Sequence, residues 1–126
     1  MITVRDWKPS DLGCNKRYDP ELVGAMQGIT LCVNGNALAC GGFVEQEWGK
    51  EMWIEAPKAL TQKQRLGIAR IAKRYVEAEL MLGQPVHAHV WADDETAPRW
   101  MSFLGFEHCE RIEREDDAVD HYRLEP

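Results

Sequence analysis

The chain has 126 residues, a formal net charge of −6 and four cysteines. This length suits one domain, residues 1–126, with a single core. The acidic balance argues against nucleic acid as a partner, because nucleic-acid binding draws on clustered lysine and arginine. No apolar run approaches the ~20 residues needed to cross a bilayer, and residues 1–7 lack a signal-peptide pattern. We therefore predict a cytoplasmic protein with no membrane partner.

Cysteines and acidic runs bear on redox and metal chemistry. The two cysteines that flank an apparent turn would each face another residue across it, and no C-x-x-C pair occurs, so thiols are expected at all four positions: Cys14, Cys32, Cys40 and Cys109. The acidic runs 93–95 and 113–117 are typical of solvated loops. A metal site there is the alternative, but no further ligand stands at a suitable spacing, and we predict no metal.

The N-terminal part predicts a strand, a loop and a short helix. Residues 2–7 alternate in polarity and read as an edge strand ended by a proline. Residues 11–18 are polar and irregular. Asp19 and Pro20 form a helix start, an N-cap acid followed by proline, and a short helix is predicted over 21–27.

A meander of three strands comes next. Residues 29–34 and 37–44 alternate on either side of the turn 34–36, which predicts an antiparallel hairpin. Gly41 and Gly42 in its second arm indicate a bulge or a close backbone approach. A polar turn over 45–50 then leads into the third strand, 51–55.

The longest helical pattern follows Pro57. Thr61 and Gln64 fit a capping box, and Gly83 marks the end. Apolar residues recur at steps of three and four, which predicts a stripe packed on a sheet: Ile68, Ile71, Ala72, Tyr75, Ala78 and Leu82. The opposite face is charged and is expected in water: Arg70, Lys73, Arg74 and Glu77.

The C-terminal third predicts a strand over 86–91, a short helix over 97–104 and a hairpin over 107–114 and 121–124. Because a helix lies directly between them, strands 51–55 and 86–91 are expected to be parallel neighbours. The predicted order is β-α-β-β-β-α-β-α-β-β. This is an α/β (α+β) domain with a mixed, mostly antiparallel sheet of about six to seven strands and a central crossover helix.

Two motifs within this order resemble the GNAT N-acetyltransferase superfamily. The family carries Q/R-x-x-G-x-G/A at the turn into its central helix, where backbone N–H groups hold the pyrophosphate of acetyl-CoA; Gln64, Gly67 and Ala69 fit these places. Its last helix reads N-x-x-A-x-x-L/F-Y-x-x-x-G-F, matched here by Asp94, Ala97, Trp100, Met101, Gly105 and Phe106. The resemblance implies a GNAT-like fold and acetyl-CoA as cofactor, bound by Gln64, Arg65, Gly67, Ala69 and Asp94.

The sequence departs from the family in ways that concern activity. Met101 stands where the family's tyrosine commonly protonates the departing thiolate, and a thioether has no proton to give. If Thr61 caps the helix, Gly67 lies in its second turn with its N–H already bonded to the carbonyl of Lys63. Residues 64–69 are then either a phosphate cradle or ordinary helix in which Gly67 permits close packing. Residues 8–27 offer one short helix, which predicts a small acceptor pocket or none.

Several side chains are candidates for chemistry. Glu55, at a strand end, is the candidate base, with a solvated strand-end acid as the alternative. His87 and His89 share one strand face, where they could serve proton relay or metal binding, or be packed and hydrogen-bonded. Tyr75 is expected in the core. The tryptophans are expected mainly in the core, with any exposed member marking a protein interface: Trp48, Trp53, Trp91 and Trp100.

A narrower resemblance is to the small internal virion proteins of short-tailed phages, themselves GNAT-like in fold. It is carried by residues 38–42, by His89-Val90-Trp91 and by residues 99–106. Two hypotheses follow. The chain binds acetyl-CoA and transfers acetyl to an amine, or it is a catalytically silent GNAT-fold protein that interacts with phage or host proteins.

Overall fold

The computed structural model describes residues 2–12, 20–57 and 59–126. Their order is strand β1 (Ile2–Asp6), a 3-10 helix (Pro9–Leu12), α1 (Pro20–Ala25), β2 (Gln27–Val33), β3 (Asn36–Gln46), β4 (Gly49–Glu55), α2 (Gln62–Leu80), β5 (Val86–Trp91), α3 (Ala97–Leu104), β6 (Glu107–Glu113) and β7 (Ala118–Leu124). No helix formed by these residues is long and apolar enough to span a membrane.

All seven strands form one sheet in the order β1-β2-β3-β4-β5-β7-β6. The pairing is antiparallel everywhere except between β4 and β5, which run parallel. A parallel pair needs a crossover, and α2 supplies it. The predicted mixed, mostly antiparallel sheet with a central crossover helix is therefore confirmed.

Helices cover both faces of the sheet. On one face α2 and α3 pack against each other and against β4, β5 and β7, around a core that includes Met52, Val76, Ala88, Met101 and Tyr122. On the other face α1 covers a smaller core, which contains Met26, Cys40, Val44 and Trp53. Strand alternation separates the two sets, since neighbouring residues of β4 point to opposite faces.

The first hairpin has a shorter turn than predicted. Asn34 and Gly35 adopt positive φ values of 53° and 80°, which makes a two-residue turn of the kind that matches strand twist. β3 consequently starts at Asn36 and runs on to Gln46, so the predicted polar turn 45–50 shrinks to residues 47–48. The expected close backbone approach is confirmed, because a Cβ on Gly42 would lie 2.0 Å from the carbonyl oxygen of Gln27.

The cysteine prediction holds for the described positions. Cys32 lies opposite Ala37 and Cys40 opposite Thr30, as expected from the hairpin. Cys32, Cys40 and Cys109 are free thiols. Burial, with the nearby carboxylates of Glu55 and Asp11, raises the pKa of Cys40 to about 12, so this thiol is inert. Cys14 lies outside the described residues.

The apolar stripe of α2 differs in part from the prediction. Its buried members are Ile68, Ala69 and Val76, whereas Tyr75 is 44% exposed and Leu82 70% exposed. The expectation of Tyr75 in the core is therefore wrong. At 100° per residue, Tyr75 lies about 100° around the helix from Val76 and about 20° from Ile68, on the side of Ile68 away from Ala69 and Val76, so it falls at the edge of the buried arc. The charged face, by contrast, is exposed as predicted.

The N-terminal and C-terminal boundaries also shift. Residues 9–12 are a 3-10 helix instead of irregular loop, and the Asp11 carboxylate receives two hydrogen bonds from Arg5, each 2.7 Å long, and one from Thr30 Oγ1. Residues 13–19, including the predicted N-cap Asp19, lie outside the described residues. The short helix ends at Ala25 instead of residue 27, and β7 starts at Ala118 instead of 121. The 97–104 helix is confirmed.

Candidate active site

The sheet opens between β4 and β5. These strands pair only at their starts, residues 50–52 with residues 86–88. Beyond this point each strand is held by its outer neighbour, β4 by β3 as far as Glu55 and β5 by β7 as far as Trp91. The facing backbone edges of 53–55 and 89–91 thus share no ladder hydrogen bonds.

A cleft of about 710 Å³ occupies this opening. It is lined by Met52 and Ile54, which belong to the face covered by α2, and by Trp53 and Glu55, which belong to the opposite face. Because successive strand residues point to opposite faces, a cleft lined by both sets passes through the sheet. Its helical side is closed by the start of α3 and the segment before it: Asp94, Thr96, Ala97, Trp100 and Met101.

A second cavity, of about 820 Å³, lies around the glycines of β2 and β3. Its lining is mainly apolar, and the Lys50 ammonium within it is paired with Glu79 at 2.9 Å. We place the candidate site at the β4–β5 cleft, because carboxyl and imidazole groups converge there.

Glu55 stands at the end of β4 on the wall of this cleft. Burial, with a contribution from the negative charge of Asp94, raises its pKa from about 4.5 to about 7. A carboxyl with this pKa can both accept and return a proton near neutral pH. The solvated strand-end acid, the alternative considered from the sequence, does not describe this partly buried side chain.

Glu51 and His89 form a carboxylate–imidazole pair in the same cleft. His89 Nδ1 contacts Glu51 Oε1, and both side chains are largely buried. The ring of His89 is held between Trp48, whose ring centroid is 5.6 Å away, and His121, at 4.7 Å. Sequence reasoning singled out His89 but missed Glu51, because only the parallel register of β4 and β5 brings the two together.

The other histidines of this face lie behind His89. His87 Nδ1 and His121 Nε2 are 2.9 Å apart, so one ring donates a hydrogen bond to the other. Burial lowers the pKa of both rings, and the neighbouring imidazoles lower that of His121 further. For His87 this arrangement fits the packed, hydrogen-bonded alternative considered from the sequence. Among the described residues, no group of three possible ligands could hold a metal ion.

The cleft is acidic. Among the described residues that line it are four carboxylates, those of Glu51, Glu55, Asp93 and Asp94, against one guanidinium, that of Arg114. Arg114 is itself bound to Asp117, with contacts of 2.6 and 2.9 Å. The formal charge of the lining therefore favours a cation in the cleft.

Neither a protein-family sequence model nor a curated protein sequence matches this chain. Solved structures do match it. The GNAT-family acetyltransferase from Streptococcus pneumoniae is similar with a TM-score of 0.70 and 11% identity, over 98% of each chain. Ard1 from Thermoplasma volcanium gives 0.72 and 12%, over 98% of this chain and 96% of that one. The Salmonella typhimurium protein yncA, solved with its cofactor acetyl-CoA, gives 0.68 and 13%, over 98% and 93%. The chain has the GNAT fold.

The residues that resemble the first GNAT motif, at the start of α2, are engaged in helix-forming contacts. Thr61 is the N-cap, and its hydroxyl accepts a hydrogen bond from Gln64 N at 3.1 Å, while Gln64 Oε1 accepts one from Thr61 N at 3.0 Å. Arg65 N donates to the carbonyl of Thr61 at 3.0 Å. The first-turn donors without an intrahelical acceptor are the N–H groups of Gln62 and Lys63.

Gly67 and Ala69 lie deeper in the helix than a phosphate cradle requires. A Cβ on Gly67 would lie 2.9 Å from Ile2 Cδ1, so this glycine lets α2 approach β1 closely. Ala69 is buried in the interior. Both observations favour the packing interpretation of residues 64–69. The Arg65 side chain is exposed.

Asp94 and Met101, which resemble positions of the second GNAT motif, also stabilise the local structure. Asp94 Oδ1 accepts hydrogen bonds from Thr96 N, Thr96 Oγ1 and Ala97 N, at 2.9 to 3.2 Å, and so organises the start of α3. Met101 is 3% exposed and belongs to the main core, although it also touches the cleft. The tyrosine of the family motif therefore has no substitute at its own position. No comparison supports the narrower resemblance to phage internal virion proteins, which stays a prediction.

Proposed function

We propose that this chain binds acetyl-CoA in the β4–β5 cleft and transfers its acetyl group to an amine. The observation that carries the proposal is a cleft that crosses the sheet, with the Glu55 carboxyl, whose pKa is about 7, on its wall. Acetyl-CoA supplies an activated acetyl thioester. An acid–base group beside such a thioester is the minimum that transfer to an amine requires.

Two features of the chain suit the cofactor. The edge of β4 that faces the cleft does not pair with β5 at Trp53 and Ile54, so an extended amide chain could lie beside it in the manner of an added strand. The N-terminus of α2 offers the N–H groups of Gln62 and Lys63 to phosphate, with the Lys63 charge beside them. We assign the phosphate contact to these two residues and to exposed Arg65, with Gln64, Gly67, Ala69 and Asp94 supporting the local structure.

Glu55 acts in this scheme as both base and acid. It takes a proton from the amine nitrogen as the C–N bond forms, and it returns the proton to sulfur as the C–S bond breaks. A carboxyl with a pKa near 7 can perform both transfers. This removes the need for a tyrosine at the position of Met101.

Calorimetric titration with acetyl-CoA tests the binding step. We expect saturable heat with the wild-type chain and about tenfold weaker binding by Lys63→Glu, since it places negative charge at the phosphate-binding end of α2. Arg74→Glu, on the exposed face of the same helix, changes net charge equally and should leave the affinity within about twofold. Absence of heat at millimolar acetyl-CoA, or equal effects of the two variants, would contradict the proposed site.

A second candidate function is a GNAT-fold protein without catalysis, a component of phage particles or a partner of host proteins. The buried Met101, in place of a proton donor, favours the lack of catalysis in this candidate; its phage or host partners are carried only by the sequence resemblance. Mass spectrometry of amines incubated with the chain and acetyl-CoA separates the two candidates. An acetylated amine excludes the silent protein, and its absence together with absent acetyl-CoA binding excludes the enzyme.

A further inference from the structure

The structure places a second proton-accepting group in the cleft, and the proposed reaction has a use for it. An amine acceptor is an ammonium ion near neutral pH, so it must lose one proton before its nitrogen has a lone pair and a second as the amide forms. Glu55 accounts for one of these protons. The four carboxylates that line the cleft make it a place where the cationic form would enter.

The geometry points to His89, held by Glu51, as the group that takes the first proton from a cationic primary amine. This inference rests on the proposed acetyl transfer and deepens it. His89 lies on the cleft wall, on the same face of the sheet as Glu51 and Glu55. The amine side of the reaction would therefore be the face of the sheet that α2 and α3 do not cover.

The Glu51 contact decides which nitrogen of His89 is available. An ionised carboxylate only accepts hydrogen bonds, so His89 Nδ1, which contacts Glu51 Oε1, is the nitrogen that carries the hydrogen. In the neutral ring Nε2 then holds the lone pair. A carboxylate that orients an imidazole in this way also stabilises the imidazolium once it forms, as in catalytic triads.

The surroundings of His89 favour this role over metal binding. The planes of the His89 and His121 rings differ by 10°, and those of His87 and His121 by 18°. His87 and His121 already bond to each other, at 2.9 Å. Nearly parallel rings engaged in this way do not direct three lone pairs to one point, in agreement with the lack of a metal-ligand group among the described residues.

His89 and Glu55 together account for both protons that the ammonium nitrogen loses. His89 Nε2 takes one ammonium proton and later releases it to solvent. Glu55 takes the second proton as the nitrogen bonds to the acetyl carbon, and it gives this proton to the departing sulfur. The net products are the acetylated amine, the free thiol and one proton in solution.

Two probes of nearly equal shape test the assignment. 2-Phenylethylamine is a cation at neutral pH, whereas O-benzylhydroxylamine is neutral, because oxygen replaces a methylene beside its nitrogen. The exposed ring of Trp48, on the cleft wall, can contact the phenyl group of either probe. With saturating acetyl-CoA, we expect His89→Gln to slow acetylation of 2-phenylethylamine about 100-fold and that of O-benzylhydroxylamine less than about threefold. Glu51→Gln should show the same selectivity with a smaller loss.

A binding measurement without acetyl-CoA separates chemistry from structure. Calorimetry should give the same affinity of 2-phenylethylamine for the wild type and for His89→Gln within about twofold, since the four carboxylates remain. His108→Gln is the matched control, because His108 binds Asp120 outside the cleft, and its rates with both probes should be unchanged. Thermal melts verify that each variant is folded.

The outcomes separate the two proposals. Equal losses with both probes, or no loss in His89→Gln, overturn the role of His89 while leaving acetyl transfer intact. A chain that binds acetyl-CoA but acetylates neither probe also overturns it, since the cation is the form this cleft should accept. A chain that does not bind acetyl-CoA overturns the proposed function and this inference together.

Discussion

Glu55 shows how one position in a fold can change the chemistry of a common side chain. In sequence it is one of 21 acidic residues, and its location at a strand end is typical of a solvated carboxylate. In the structure it sits beside Asp94 on the wall of a cleft, where burial raises its pKa to about 7. The shift also implies a pH dependence of stability.

The sign follows from the raised pKa. The folded state binds the Glu55 proton more tightly than the unfolded state, so the contribution to stability is fully present below pH 4.5 and is lost as pH rises to about 7. Glutamine at position 55 has no proton to lose in this range, so Glu55→Gln does not show this decrease in stability as pH rises. Its free energy of unfolding relative to the wild type should therefore increase by about 1–3 kcal/mol between pH 4 and pH 8.

Urea unfolding of both proteins at several pH values measures this difference. Glu77→Gln on the exposed face of α2 is the control, and its difference from the wild type should vary by less than about 0.5 kcal/mol. A Glu55→Gln difference that is flat with pH, or that falls as pH rises, would show that the Glu55 pKa is not raised.

At the scale of elements, the residues that start α2 affect both the stability of this helix and the N–H groups that it could offer to a cofactor. In the capping box, the Gln64 backbone N–H donates to Thr61 Oγ1 and the Thr61 N–H donates to Gln64 Oε1, so the Gln64 N–H already has an acceptor within the helix. The N-cap of α2, Thr61, thus lies three residues before Gln64. The N–H groups without an acceptor in the helix are therefore those of Gln62 and Lys63.

Thr61→Ala should lower the free energy of unfolding by about 1 kcal/mol, because it leaves the Gln64 N–H without its side-chain acceptor. Thr61→Ser keeps the hydroxyl, so its free energy of unfolding should stay within about 0.5 kcal/mol of the wild type. Chemical denaturation of the three proteins provides the comparison. Equal losses in both variants would mean that the threonine methyl group, and not the cap, stabilises this end of α2.

The whole molecule is organised around the separation of β4 from β5. Each strand is fixed by its outer partner, so the opening does not depend on either strand being loose. α2 is the crossover that makes these strands parallel. The parallel pairing at residues 50–52 and 86–88 and the cleft beyond it thus come from one topological feature.

Hydrogen exchange can locate acetyl-CoA within this arrangement. Saturating acetyl-CoA should slow exchange of the cleft-facing amides in residues 53–55 and 89–91 about tenfold, because the ligand would bond or cover them. Amides in 50–52 and 86–88 are already within the paired part of the two strands and should change less than twofold. NMR-detected exchange resolves these residues. Protection confined to the outer strands β6 and β7 would place the ligand elsewhere.

The sequence by itself determined most of the elements, because their signals are local. Thr61 and Gln64 mark a helix start, Asn34 and Gly35 mark a turn, and the alternation in 86–91 marks a strand; each was found where predicted to within a few residues. The element order then led to the GNAT fold. Tyr75 was misplaced because α2 carries apolar residues on more than one line, and only the contact with the sheet selects which line is buried.

Only the tertiary structure decided the chemistry of the site. Glu51 meets His89 through a register between strands that are separated by the whole of α2, and sequence spacing contains no record of that register. The pKa of Glu55 depends on how deeply its strand end is covered and on the nearby Asp94, two quantities set by packing. Burial of a side chain, and its closeness to charges far away in the sequence, arise only when distant segments of the chain come together. Local sequence patterns therefore predict the helices and strands, but they do not predict the reactivity of Glu55 or the pairing of Glu51 with His89.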